Sequence, residues 1–298
     1  MATFGSGDLK NLPRNIADGL VKDTVTGSTV AALSGRTPMR FGNTDIITFN
    51  DSPKAEFVGE GAQKSHTTGS FGFVTATPKK AQVTMRFNEE VQWADEDYQL
   101  GVLSELANAG SVALSRALDL GLYYRINPLT GTAITGWTNY LNSTTKRVEI
   151  GTAGADIDVE TAVGLLLADQ KSVNGMALDP SYAWTLATAR YTDGRKKFPD
   201  LGFGTSISNF QGINASVSNT VSAQPEAADN NIKAIVGDFA AGIRWGVQRD
   251  IPLEVIRFGD PDGQGDLKRS NQIALRLEIV YGWYVFADRF AVIEDAAA

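Results

Sequence analysis

Hydrophobic and polar positions alternate through much of residues 44–88, and the spacing becomes helical afterwards. Residues 44–50 alternate as a half-buried strand does, and residues 54–58 and 71–87 are rich in strand-forming side chains. Pro78 fits an edge position in the last of these strands. The polar residues between the strands cannot form a core, and a long hairpin is marginal in water unless something covers it. We therefore predict a hairpin that packs on another copy of the chain.

From residue 89 the apolar positions recur every three or four residues, which predicts one amphipathic helix over residues 89–124. Pro128 is predicted to stop it. We expect ~28 of these residues, from the acidic run at Asp95, Glu96 and Asp97 onward, to form a continuous helix of ~42 Å that serves as a structural spine. Its apolar stripe consists of Leu100, Leu103, Ala107, Leu114, Ala117 and Leu118.

The remaining segments predict an N-terminal arm and an α+β region. Residues 1–30 mix polar residues with scattered apolar ones and are predicted to be extended. One helix is predicted to begin at Asp156 or Asp158 and to stop at Gly175, and another to begin after Asp179. Strands are predicted near residues 176–178, 213–217, 232–237, 251–258, 272–280 and 284–293, with a hairpin turn at residues 260–266.

Composition narrows the possible functions. The chain has 298 residues and is 43% hydrophobic, so it can bury a core. Its net charge is -7, so bulk attraction to DNA or to an anionic membrane is not expected. With no cysteine and one histidine, disulfides, thiolate metal sites and cysteine nucleophiles are excluded, and we expect neither a cofactor nor a bound metal. We expect no secretion signal at residues 1–7, and no apolar run approaches the ~20 residues that span a bilayer.

The order of these elements and several local strings resemble the major capsid protein of tailed bacteriophages, whose shell fold is shared with bacterial encapsulins. No single string is diagnostic, but their order and spacing together are hard to reach by chance. Besides the predicted spine helix, the strings are SPKAEFVGEGAQK at residues 52–64, TPKK at 77–80, MALDP at 176–180, VGDF at 236–239 and ALRLE at 274–278.

The resemblance implies an α+β subunit with the HK97-like capsid fold. Copies would form hexamers and pentamers of an icosahedral head that encloses double-stranded DNA without sequence-specific binding. Scaffolding, portal and decoration proteins would be its further partners, and it would reside in the virion after assembly in the host cytoplasm, with no membrane and no fused scaffolding domain. The implied parts are an N-terminal arm (1–43), an extended hairpin or E-loop (44–88), a peripheral domain with the spine helix (89–140 and 245–280) and an axial domain (141–244 and 281–298).

Some capsid proteins of this fold join subunits by an autocatalytic isopeptide bond, and the resemblance offers candidates for one. Lys64 in the hairpin would attack the side-chain amide of Asn271, which would lose ammonia as the isopeptide bond forms, while Glu278 takes the lysine proton, since an amine is nucleophilic only when neutral. The alternative is that these are a solvated lysine, a turn residue and a surface carboxylate. On a regular strand Asn271 and Glu278 would also face opposite sides, because their separation is odd.

Other polar residues are more simply explained without catalysis. His66 lies in a Ser/Thr/Gly stretch with no companion ligand, and no Gly-x-Ser-x-Gly string frames a serine. The acids at Asp156 and Asp158 fit the start of a helix better than a cation site, and the tryptophans fit core or interface anchors. The residues predicted to contact neighbouring subunits are Glu56, Phe57, Glu60, Lys64, Lys79, Lys80 and Arg86.

Three alternative functions are compatible with this sequence. The favoured one is a structural, non-enzymatic subunit of a phage head. Within the same fold, the alternative is an encapsulin-type shell that encloses protein cargo. From another class, a soluble β-rich binding module or enzyme remains open, although catalytic residue types are sparse.

Overall fold

The computed structural model describes residues 27–49, 55–66, 71–98, 101–204 and 206–296. The parts of the predicted arm and hairpin at residues 1–26, 50–54 and 67–70 lie outside them. The helices are α1 (Thr29–Leu33), α2 (Glu89–Tyr98), α3 (Val102–Tyr124), α4 (Ala155–Ala168), α5 (Pro180–Thr188) and α6 (Phe239–Gly242). The strands are β1 (Thr44–Phe49), β2 (Phe71–Asn88), β3 (Ile126–Asn127), β4 (Thr132–Ala133), β5 (Arg147–Glu149), β6 (Gly175–Leu178), β7 (Asn209–Phe210), β8 (Ile213–Val217), β9 (Ile232–Gly237), β10 (Ile243–Ile256), β11 (Gln272–Val285) and β12 (Phe290–Glu294).

The long strands form a four-stranded antiparallel sheet in the order β1-β2-β11-β10. The predicted hairpin is its edge: β1 pairs with the first part of β2, from Phe49 opposite Phe71 to Thr44 opposite Ala76. Beyond that point β2 pairs only with β11 among the described residues, so Pro78 lies where one side of the strand has no partner strand, as predicted.

The shorter strands form a mixed six-stranded sheet in the order β5-β12-β9-β6-β8-β7. Helices α4 and α5 pack on it, and Ala162, Leu166 and Leu186 are fully buried there with the centre of β6 and β9. All its strands fall within residues 141–244 and 281–298. However, β11 continues past residue 280 to Val285, so it crosses a predicted domain boundary.

The spine helix α3 joins the two sheets through one core. Its residues Leu118, Leu120 and Leu122 are buried in the same apolar cluster as Trp283 of β11 and Phe290 of β12. The close approach requires glycine in the helix, because a Cβ at Gly121 would lie 2.9 Å from a carbon of the Trp283 ring.

The prediction of one helix over residues 89–124 is wrong, because α2 and α3 are separate. Gly101 has φ 69°, a left-handed conformation that interrupts the helix and that glycine adopts without a Cβ penalty. The helix ends at Arg125, also left-handed, whose N–H donates to the carbonyls of Leu120 and Gly121, so Pro128 is not the stop. The spine is therefore 23 residues, ~35 Å, rather than ~42 Å.

Four further predictions need correction. The strand predicted near residues 284–293 is divided, because β11 ends at Val285, a short 3-10 helix follows at Ala287–Arg289, and β12 begins at Phe290. The helix predicted to begin at Asp156 or Asp158 begins at Ala155, with Gly154 at its N-cap.

Residues 55–58 form no strand and run into a turn at Glu60, because they are highly exposed and lack the buried face that would hold a strand in the sheet. Helix α4 stops at Ala168, where the N–H of Lys171 closes the last turn on the carbonyl of Leu166, and Gly175 begins strand β6 instead of ending the helix. By contrast, the N-cap at Asp179 is confirmed, since its side chain accepts from the Ser181 N–H at 2.8 Å.

Candidate inter-subunit surface

The hairpin exposes large apolar side chains on one face. Ile47 lies opposite Phe73 in the β1–β2 register, and both are two-thirds exposed, as is Phe71 two residues along the strand. Side chains two apart on a strand share a face, so these three form one apolar patch. We call Ile47, Phe71 and Phe73 the hairpin patch.

The segment 55–66 carries four of the residues predicted to contact a neighbour. Phe57 is fully exposed, at 108% of its reference area, and Glu60 and Lys64 are exposed as well. Glu56 closes the segment instead, because its carboxylate accepts from the Ser65 hydroxyl and from the Ser65 N–H at 2.6 Å. These hydrogen bonds lower the pKa of Glu56. The segment therefore presents a phenyl ring and a carboxylate at Glu60 to its surroundings.

Of the cations predicted to contact neighbours, Lys80 and Arg86 have acidic partners within the subunit. Lys80 Nζ lies 2.8 Å from the carboxylate of Glu278. Arg86, whose side chain is only 8% exposed, pairs with Asp262 and with Asp260 and donates to the Gly265 carbonyl at 2.9 Å. Arg86 thus fixes the β10–β11 connection to β2. A contact of either cation with another subunit stays a prediction.

Lys79 differs from Lys80 in having no acidic partner among the described residues. Its ammonium lies 4.3 Å from the centroid of the Trp283 ring and 5.5 Å from that of Trp137, and it donates only to the carbonyl and hydroxyl of Thr77. Burial lowers the pKa of Lys79 to about 8. The structure therefore holds a desolvated cation against two indoles at the base of the hairpin.

Within the described residues of one subunit, no hydrogen bond or ion pair joins the cross-link candidates to one another. Asn271 has φ 54° just before β11, and its side-chain amide donates to Glu90 at 2.9 Å, whereas Glu278 is paired with Lys80. Lys64 is exposed in the segment 55–66. The carboxylate beside Asn271 is thus that of Glu90, and the predicted cross-link stays a prediction.

A buried carboxylate lies on the spine helix at a position that the sequence analysis did not single out. Asp119 is fully buried, and it accepts from the N–H groups of Thr29 at 2.7 Å and Val30 at 3.1 Å. The hydroxyls of Ser28, Thr29 and Thr220 also donate to it. Burial raises the pKa of Asp119 in spite of these hydrogen bonds. An aspartate inside the apolar run of α3 was the only available signal.

The acids at the start of α4 have partners within the subunit. Asp156 pairs with Lys197 at 2.8 Å, and Asp158 accepts from the Gly151 N–H at 3.1 Å. The described part of the chain contains no cluster of three metal-ligating side chains. None of its helices has the length and apolar character needed to cross a bilayer.

Two sheets, a spine helix and a projecting hairpin are the parts of a shell-forming subunit with the HK97-like fold. Comparison of the chain with known proteins identifies the same class. A model of the phage capsid family matches residues 11–293. A chain from Mycobacterium phage Ogopogo is 45% identical, with 99% of this chain and 100% of that chain covered and a TM-score of 0.85. A chain from Gordonia phage Cozz is 29% identical, with 98% of this chain and 94% of that chain covered and a TM-score of 0.84. A search of the curated proteins finds no significant match.

The chain belongs to the phage capsid family. It is a structural component of a virion head shell and not an enzyme, and neither the encapsulin nor the binding-module alternative gains support. A more distant chain, from the "Capsid of empty GTA particle computed with C5 symmetry", is 15% identical over 98% of this chain and 97% of its own, with a TM-score of 0.63, and shows likeness of fold alone.

Proposed function

We propose that copies of this chain form hexamers and pentamers of an icosahedral head that encloses double-stranded DNA. The observation that carries the proposal is the hairpin patch, together with the fully exposed Phe57. Exposed aromatic side chains clustered on a thin projecting hairpin are costly in water, and a neighbouring subunit is the surface that covers them. The net charge of -7 supports containment of DNA rather than tight binding.

The proposal includes the division of the subunit and its wider partners. We infer that the four-stranded sheet with α3 builds the peripheral domain and the six-stranded sheet the axial domain, with residues 1–43 as the arm and 44–88 as the E-loop. The separation of the strands into two sheets supports this division. We infer that the chain assembles in the bacterial cytoplasm with scaffolding, portal and decoration proteins, an inference that membership of the phage capsid family supports.

Sedimentation and negative-stain microscopy of the purified chain test this function, alone and with phage assembly factors. The wild-type chain is expected to form closed megadalton particles, whereas Phe73→Ser, which removes the centre of the hairpin patch, is expected to stay as small oligomers. Phe203→Ser is the matched control, because Phe203 is equally exposed but lies in a loop far along the chain from the hairpin. Particles from the Phe73 variant that match wild type would contradict the proposed role of the patch.

We propose the Lys64–Asn271 cross-link as a secondary activity of the assembled shell, with Glu90 or Glu278 as the proton acceptor. Its support is the hydrogen bond between Asn271 and Glu90 and the exposure of Lys64. Shells boiled in detergent should then run as covalent ladders that Lys64→Arg abolishes. A single band at the 31.9 kDa monomer in wild-type shells would reject the cross-link.

A further inference from the structure

Beside Lys79 the surface of the subunit opens into a concave pocket of about 140 Å³. Trp137 and Trp283 form its aromatic wall, and Ile126, Pro128 and Ile134 contribute apolar surface. Gly121 of the spine helix leaves room for the two indole rings, which a Cβ there would meet at 2.9 and 3.2 Å. The pocket therefore lies where β2, α3 and β11 meet.

The charge in this pocket is unbalanced. Among the described residues no aspartate or glutamate lines it, whereas Lys79 and Lys80 both do. Lys80 is neutralised by Glu278. Within the described residues, the Lys79 ammonium donates to the two oxygens of Thr77, which leaves a third N–H available. A partly desolvated cation without an anion is costly, so the pocket favours a ligand that carries a carboxylate and an apolar group.

The same chain carries a segment with the complementary chemistry. Phe57 is fully exposed, and Glu60 is exposed three residues later in the turn closed by the Ala62 N–H on the Gly59 carbonyl. Glu56 is already bonded to Ser65, so Glu60 is the carboxylate available beside the ring. Because both side chains are exposed, they do not fill the pocket of their own subunit.

We propose that the Lys79 pocket receives Glu60 and Phe57 of a neighbouring copy of this chain. The Glu60 carboxylate pairs with the Lys79 ammonium, and the Phe57 ring packs against the indoles. This contact rests on the proposed shell function and names the place where the hairpin segment docks. It also neutralises Lys79 at no cost to the subunit fold, because the cation keeps its bonds to Thr77.

Disulfide trapping tests the contact directly, since the native chain has no cysteine. Glu60→Cys with Lys79→Cys, assembled and then oxidised, should give reducible covalent oligomers in detergent. Glu60→Cys with Gln82→Cys is the matched control, because Gln82 is an exposed residue of β2 that faces the opposite side of the sheet from Lys79 and does not line the pocket. Equal trapping by both pairs, or none by the first pair in intact shells, would overturn the proposal.

Charge reversal provides a second readout that does not depend on cysteine geometry. Lys79→Glu or Glu60→Lys alone should raise the protein concentration needed for assembly by about tenfold, and the double variant should restore it. Single variants that assemble like wild type would refute the contact while leaving the shell function intact. If Lys79 instead met DNA phosphate, Lys79→Glu would assemble normally and lose only packaged DNA, which also refutes it. A wild-type chain that forms no particle at all would count against the shell function itself.

Discussion

Replacing Asp119 tests whether this carboxylate fastens the root of the N-terminal arm to the spine helix. Asp119→Ala removes the acceptor for five donors, of which the Thr29 and Val30 N–H groups are fixed by the backbone. The hydroxyls can turn to other partners, as Thr29 already contacts Tyr123. Each buried N–H left without an acceptor costs ~1–3 kcal/mol, so we expect a loss of ~3 kcal/mol in unfolding free energy.

Urea unfolding of unassembled subunits, followed by tryptophan fluorescence, measures this loss. Asp119→Asn keeps one acceptor oxygen and should lose roughly half as much. Asp193→Asn is the control, because Asp193 is exposed and bonds only locally to Arg195, and it should stay within ~0.5 kcal/mol of wild type. An Asp119→Ala chain as stable as that control would refute the argument.

The burial of Asp119 also predicts how the unfolding free energy depends on pH. Burial raises the pKa of Asp119 above its ordinary value of 3.8, so the folded chain holds this proton more tightly than the unfolded chain. The stabilisation from protonation is fully present below pH 3.8 and is lost as the pH rises through the folded-state pKa. The stability advantage of wild type over Asp119→Asn should therefore shrink across that window. A difference that grows with pH would contradict burial as the dominant effect.

Three other predictions follow from packing and charge at the hairpin base. Gly121→Ala forces a Cβ to within 2.9 Å of an indole and should cost ~1–3 kcal/mol in urea unfolding, whereas Gly164→Ala, with no atom within 4 Å, should be neutral or stabilising by up to ~1 kcal/mol. Arg86→Ala leaves two aspartates without their cation at a site where the arginine side chain is 8% exposed, so it should lower the unfolding free energy by ~3 kcal/mol. Lys80→Ala removes a half-exposed pair and should lower it by less than ~1 kcal/mol. Equal losses for the two variants in urea unfolding would refute this ranking. In free subunits labelled with 13C-lysine, the Lys79 side chain should titrate near pH 8, and a midpoint above 10 would show that it is not desolvated.

Local patterns in the sequence predicted the elements whose burial follows a simple period. The strands at 213–217 and 232–237 are confirmed at those bounds, because the first alternates apolar and polar residues and the second is rich in β-branched residues. The hairpin strand at 71–87 is confirmed as β2, whose burial alternates along much of its length. The strand predicted at 54–58 failed because strand-forming residue types do not suffice without a partner strand.

Tertiary contacts decided the features that the sequence did not predict. The break at Gly101 is hidden in the pattern because apolar residues continue on both sides of it, and glycine is compatible with a helix interior at moderate cost. The Asp119 network joins Thr29, Asp119 and Thr220, which are distant along the chain, so no local pattern reports it. The Lys79 pocket likewise depends on Trp283 from a strand about two hundred positions later.

Strand β2 belongs to two pairings at once, with β1 at its beginning and with β11 over the rest of its length. A single unbroken backbone thus runs from the projecting hairpin into the centre of the four-stranded sheet. A load that a neighbouring subunit placed on the hairpin would therefore be carried by this one strand to its pairing with β11, which packs against the spine helix α3. Bending of the hairpin and distortion of the four-stranded sheet would be coupled through β2.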